Sequence, residues 1–181
     1  MNKTISENLN IRYLKLHFFI QFHEESHVYR HKPSALRGGI GNVLLNKYCL
    51  KDQKCVSCNF KGDCIAHQIL YGKFQIKRPS VTEGESIGYV IECEDYRERI
   101  LSRGILRFQM LLFGNTISYW RMIVEAVEEL GKMGLCHVDS KFRLIKVTNT
   151  AGDIIYREGD FFPKLAEVRT VREYVDSRIG S

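Results

Sequence analysis

The chain has 181 residues, 44% of them hydrophobic and 11% aromatic, with a formal net charge of +6 and a pI near 9.0. This apolar content suffices for one or two packed domains and is too high for a disordered chain. No run of about 18 apolar residues occurs, and MNKTISENLNIRYLK lacks the apolar core of a signal peptide, so a cytoplasmic protein with reduced thiols is expected and a membrane span is not. The basic excess is compatible with a nucleic-acid partner without requiring one.

In chain order, residues 10–23 alternate, with Leu14, Leu16, Phe18 and Ile20 opposite Tyr13, Lys15 and His17, and predict a long strand. The polar stretch HVYRHK at 27–32 follows. A helix is expected over 34–48, with Ser34 as N-cap and Leu36, Ile40, Val43, Leu44 and Tyr48 at helical spacing. Gly38, Gly39 and Gly41 each weaken a free helix by about 1 kcal/mol. Their clustering predicts close approach of a sheet or of a ligand backbone.

Next comes CLKDQKCVSCNFKGDC, in which Cys49, Cys55, Cys58 and Cys64 have the spacing C-x5-C-x2-C-x5-C. A C-x2-C turn brings two thiolates to one ion and flanking thiolates complete a tetrahedron, so a structural Zn2+ is expected, in a polar loop with no core of its own. An iron–sulfur cluster, or four reduced thiols with no metal, remain as alternatives. Cys93 and Cys136 lie in apolar segments and read as core thiols.

Strands are predicted at 86–94 and 105–113, joined by a charged connection. Residues 116–133 carry the strongest helical stripe: Ile117, Trp120, Ile123, Val124, Val127, Leu130 and Met133. Asn115 or Thr116 is expected to cap it, and Trp120 belongs to the core. Residues 141–148 and 153–156 read as a hairpin, and residues 165–179 as a helix. The order predicts an α+β, ferredoxin-like (RRM-like) four-stranded antiparallel sheet with two helices on one face and a Cys-rich loop insertion at 49–64. The division expected is a domain over 1–162, then a helical start of a second domain at 163–181.

Two segments carry a family resemblance. ALRGGIGNVLLNKYC at 35–49 with the Cys-rich loop, and LLFGNTISYWRMIVEAVEELGKMGL at 111–135, resemble the L-R-G-x-x-G helix and the strand–Gly–helix segment of CRISPR-associated repeat-processing endoribonucleases of the RAMP superfamily. The similarity runs over residues 10–150 and implies the N-terminal half of such an enzyme. It departs at the turn after the second helix, which reads Gly134, Leu135, Cys136, His137, Val138, Asp139 where relatives are richer in glycine or basic residues.

The resemblance implies metal-independent cleavage of repeat RNA, with a 2′-hydroxyl attacking the adjacent phosphate to leave a 2′,3′-cyclic phosphate. That chemistry needs a base, an acid and a cation, for which His, Tyr and Lys are suited. The catalytic candidates are His31 and Tyr29 in the 27–32 loop, and His67 with Lys73 beyond the Cys loop. The RNA-binding candidates are Lys32, Arg37, Lys77 and Arg78. Repeat RNA, other CRISPR-associated proteins and a second copy of the chain are the partners open to it. A non-cleaving RNA-binding RAMP subunit and a metal-stabilised protein-interaction module are the alternative functions.

Overall fold

The computed structural model describes residues 10–53, 55–71 and 88–179. The alternation in the first segment builds strand β1 (Arg12–Phe22), which buries Leu14, Leu16, Phe18, Ile20 and Phe22 on one face. Lys15, His17, Phe19 and Gln21 stand half-buried on the other, because successive strand side chains point to opposite sides. A short strand β2 (Ser26–His27) leads into helix α1 (Lys32–Tyr48), and helix α2 (Ile65–Leu70) follows the Cys loop. Strands β3 (Tyr89–Glu92), β4 (Arg99–Ile100) and β5 (Ile105–Phe113) come next, then helix α3 (Trp120–Met133). The chain continues through β6 (Phe142–Thr148), β7 (Ile154–Arg157), β8 (Asp160–Phe161), β9 (Val168–Thr170) and α4 (Val171–Ile179). No helix among the described residues is long and apolar enough to cross a membrane.

The main sheet has seven strands in the order β3-β5-β1-β6-β7-β8, with β9 also pairing β1, and every pairing is antiparallel. The four strands expected from the sequence lie side by side as second, third, first and fourth. The α+β architecture is compatible with a ferredoxin-like fold, and the three further strands extend it. In the core, Phe18 and Phe108 sit directly opposite on β1 and β5 with their rings stacked at 4.8 Å. α1 supplies Leu36, Ile40, Val43 and Leu44 to this core, and α3 supplies Trp120, Ile123, Val124, Val127 and Leu130. Each such buried side chain is worth about 1.5–3 kcal/mol of transfer free energy.

Three local expectations are corrected. α1 begins at Lys32 with His31 at the N-cap position, not at Ser34, because Pro33 fits the first turn, where no N–H partner is lost. The stripe at 116–133 divides into a 3-10 stretch, Gly114–Tyr119, and α3 from Trp120, so neither Asn115 nor Thr116 caps the α-helix. Residues 168–170, expected to be helical, form β9, because Arg12, Tyr13 and Leu14 offer an edge beyond the reach of β6 that Val168–Thr170 pairs.

The glycines of α1 admit a helix rather than a sheet. A Cβ on Gly39 would stand 2.6 Å from the Leu130 side chain of α3, while Gly38 faces open space. On α3, a Cβ at Gly131 would stand 2.3 Å from the Phe142 carbonyl oxygen, so this glycine sets the distance between helix and β6.

Candidate nucleic-acid interface

Three connections meet at one end of the sheet: the 27–32 loop, the 93–98 loop after β3, and the turn at 134–140 after α3. The Tyr29 N–H donates to the Cys136 Sγ at 3.4 Å, and the Ser140 hydroxyl donates to the His27 carbonyl at 3.1 Å. Cys136 is half-buried and, like Cys93, packs against the edge of the core while also accepting from the 27–32 loop. Gly134 with φ 101° and Cys136 with φ 68° make the left-handed bends that turn this segment back. As a result the Tyr29 ring lies edge-on to His137 at 5.7 Å, and the His31 ring edge-on to Tyr96 at 6.4 Å. His27, Tyr29, Arg30, His31, Tyr96 and His137 are all exposed. The arrangement sets two exposed imidazoles against two phenols, groups that can move protons near neutral pH.

His31 and Tyr29, candidates from the sequence, have Tyr96 and His137 as ring neighbours, which the sequence did not single out as candidates. The turn 134–139 departs from the pattern of its relatives, and its histidine lies against Tyr29 of the 27–32 loop.

Lys32 is corrected. Its side chain is fully buried, and its ammonium donates to the carbonyls of Asp95 at 2.8 Å and Arg97 at 2.6 Å, with the Asp95 carboxylate 3.9 Å away. A buried ammonium requires such partners, and this one clamps the 93–98 loop to α1 instead of meeting an RNA phosphate. Hydrogen bonds from the Arg97 side chain, with Lys32 nearby, hold the Asp95 carboxyl below its usual range.

The second candidate group is less accessible. His67, on α2, is 4% exposed, and its ring packs against Tyr71 at 5.2 Å. Arg37 is exposed on α1. Its charge offsets part of the burial that pushes the Tyr89 phenol up to about 12. Lys73, Lys77 and Arg78 lie outside the described residues.

In the Cys loop, Cys64 is buried and Cys49, Cys55 and Cys58 are half-buried. The Cys58 N–H donates to the Cys55 carbonyl at 3.3 Å, closing the C-x2-C turn. Burial pushes the Cys55 thiol up, and the neighbouring Cys49, Cys64 and Cys58 add to it. Four thiols near one another are the donor chemistry of a zinc site. Among the described residues, however, no three His, Cys, Asp or Glu side chains are gathered where they would hold one ion.

The opposite face of the sheet carries a row that sequence reasoning also missed. Phe19 pairs with Arg107 of β5 on one side and Lys146 of β6 on the other. The guanidinium stands 5.4 Å and the ammonium 4.8 Å from the ring centroid. The available signal was a phenylalanine in the polar register of β1.

The fold and these surfaces define a small α+β domain with an antiparallel sheet. Residues 10–171 match the family AF_1859_N, an N-terminal domain, and the chain belongs to that family. It is 29% identical over 126 residues to an uncharacterized protein of Archaeoglobus fulgidus, covering 68% of this chain and 42% of that protein. The chain thus spans about two fifths of the length of this curated relative. Among solved structures it is similar to a chain in the crystal structure of the Csm3-Csm4 subcomplex of the type III-A CRISPR-Cas interference complex, with a TM-score of 0.49, 15% identity, and 96% and 97% of the two chains covered.

Proposed function

We propose that this chain is the RNA-binding N-terminal domain of a CRISPR-associated RAMP protein that cleaves repeat RNA without a metal. The observation that carries the reading is two exposed imidazole–phenol pairs, Tyr29 with His137 and His31 with Tyr96, borne by loops that are hydrogen-bonded to one another. One imidazole would take the 2′-hydroxyl proton and a second would protonate the leaving 5′-oxygen. Arg30 would balance the charge that develops on the phosphorane. Arg37, with Lys73, Lys77 and Arg78, would hold phosphates along the strand. The motifs at 35–49 and 111–135 support the RAMP assignment. Two ferredoxin-like domains in tandem, the arrangement that the family resemblance implies, would make the longer protein the active unit.

The withdrawal of Lys32 and His67 into the interior favours a second reading, an RNA-binding subunit that does not cut. One experiment separates the two. Labelled CRISPR repeat RNA is incubated in EDTA with the longer protein and with its His31→Ala and His137→Ala forms. Cleavage that persists in EDTA and slows by about 10²–10⁴-fold in either variant, with binding retained, is the expected outcome. Binding without cleavage by the unaltered protein selects the second reading, and loss of activity in EDTA refutes the metal-free mechanism.

A further inference from the structure

We propose that the open face of the sheet is a stacking platform for single-stranded RNA, centred on Phe19 and reaching the 93–98 loop at its edge. The proposal rests on the RNA-binding reading above and assigns that reading a second surface. Four observations carry it.

First, an aromatic ring stands half-buried on a sheet face that no helix among the described residues covers, in a strand register it shares with Tyr13, Lys15, His17 and Gln21. Second, the ring has a cation from each neighbouring strand, Arg107 and Lys146, and among the described residues neither cation is ion-paired. One row further along, Arg143 donates two hydrogen bonds to the Gln21 side-chain Oε1, at 2.7 and 3.0 Å. The result is a ring and a guanidinium on which bases can stack, beside positive charge from the two strands that flank β1. Single-stranded nucleic acids bind such surfaces through base stacking and phosphate attraction.

Third, Phe19 and Arg107 line a cavity of about 600 Å³ together with His17 and Gln109, and its β3 side is lined by Glu92, Glu94 and Asp95. That volume is in the range of sites that take a small molecule or a single base. Fourth, the His17 Nε2 is buried and has no hydrogen-bond partner among the described residues, which leaves the cavity wall incomplete. The acids that line the β3 side of the cavity decide the direction of the strand. Glu92 is 3.5 Å from Lys15, and Asp95 is held by Arg97, but Glu94 is exposed. Phosphates would therefore avoid the β3 edge and run over Arg107, Lys146 and Arg143. The charge of this line and its aromatic centre commit the face to a polyanion with exposed bases, rather than to an apolar protein surface.

The test is a fluorescence-anisotropy titration of a labelled single-stranded RNA oligonucleotide at several salt concentrations, using the whole chain. Phe19→Ala should weaken binding by about 10-fold or more, and Phe19→Tyr, which keeps the stacking face, should restore it. Arg107→Glu should reduce the slope of log affinity against log salt by about one unit. Lys132→Glu changes the net charge equally from the helical side and should bind as the unaltered chain does. Circular dichroism and thermal melting establish that each variant is folded. If the chain binds RNA and neither Phe19→Ala nor Arg107→Glu changes affinity or salt slope, the platform is refuted while the RNA-binding reading stands. If the unaltered chain binds no RNA, both fall. If Arg107→Glu leaves RNA affinity intact but changes self-association in light scattering, the face is a protein interface and the proposal is overturned.

Discussion

Lys32 illustrates how one side chain can look like a ligand contact in a sequence and prove to be a fastener in the fold. Its neighbours Arg30 and His31 are exposed, and nothing in HVYRHK distinguishes the lysine that turns inward. The distinction comes from two carbonyls more than sixty positions away, which no local pattern reveals. Replacing Lys32 with Met should cost about 2 kcal/mol or more, because both carbonyls would lose a charged donor in a dry site. Urea denaturation would read this as a shift in midpoint, and an unchanged midpoint would show that water replaces the ammonium. Asp95 adds a pH dependence. Its folded pKa lies below the unfolded value of about 3.9, so its contribution is present above that pH and is lost as pH falls through the folded value. Asp95→Asn should therefore shrink the acid-side loss of stability, measured as melting temperature between pH 5 and pH 2. Tyr96 and His137 escaped sequence reasoning for the same reason as the partners of Lys32: their proximity to the 27–32 loop depends on tertiary folding.

Among the elements, those with strict periodicity were legible. β1, β5 and the α-helical part of the 116–133 stripe follow from alternation or from a single apolar stripe, and the structure keeps them within a few residues of the prediction. β9 was not legible, because Leu165, Val168, Val171 and Val175 fit a helical period while three residues are claimed by an edge far away in sequence. The glycine pattern was half legible: close approach was expected, but its partner is Leu130 of α3. Gly131→Ala should destabilise the domain by about 1–3 kcal/mol, since the obstacle is a backbone carbonyl that cannot rotate away. Gly39→Ala should cost less, because the Leu130 tip can move. Comparing the two melting temperatures checks the order. The Cys loop is the element whose sequence promises most beyond what the fold displays. We expect protein purified without chelator to carry zinc, and Cys55→Ser with Cys58→Ser to lose it together with loop protection in hydrogen exchange. Elemental analysis finding neither zinc nor iron would remove the metal.

At the scale of the molecule, the sheet divides the surface in two. One face is sealed by α1 and α3, and the other presents Phe19 between its cations, while the histidine cluster lies at an end where three loops meet. The architecture was readable because element order and antiparallel pairing follow from the sequence of strands and helices. The surfaces were not, because each joins residues from at least two distant segments.

The pairing of β9 with β1 also determines how the domain would answer to force. Arg12 lies opposite Thr170, and the Val171 N–H donates to the Ile11 carbonyl at 3.0 Å, so the two strands begin and finish at the same corner. A pull applied at residues 11 and 171 would load this antiparallel ladder one hydrogen bond at a time, as a zipper, and would leave the long β1–β5 register unstressed until β9 had peeled off. In an optical trap, extension from these two points should therefore show an early, low-force release of the C-terminal segment, with the sheet giving way only afterwards. A single high-force rupture would mean that the corner is held by more than its ladder.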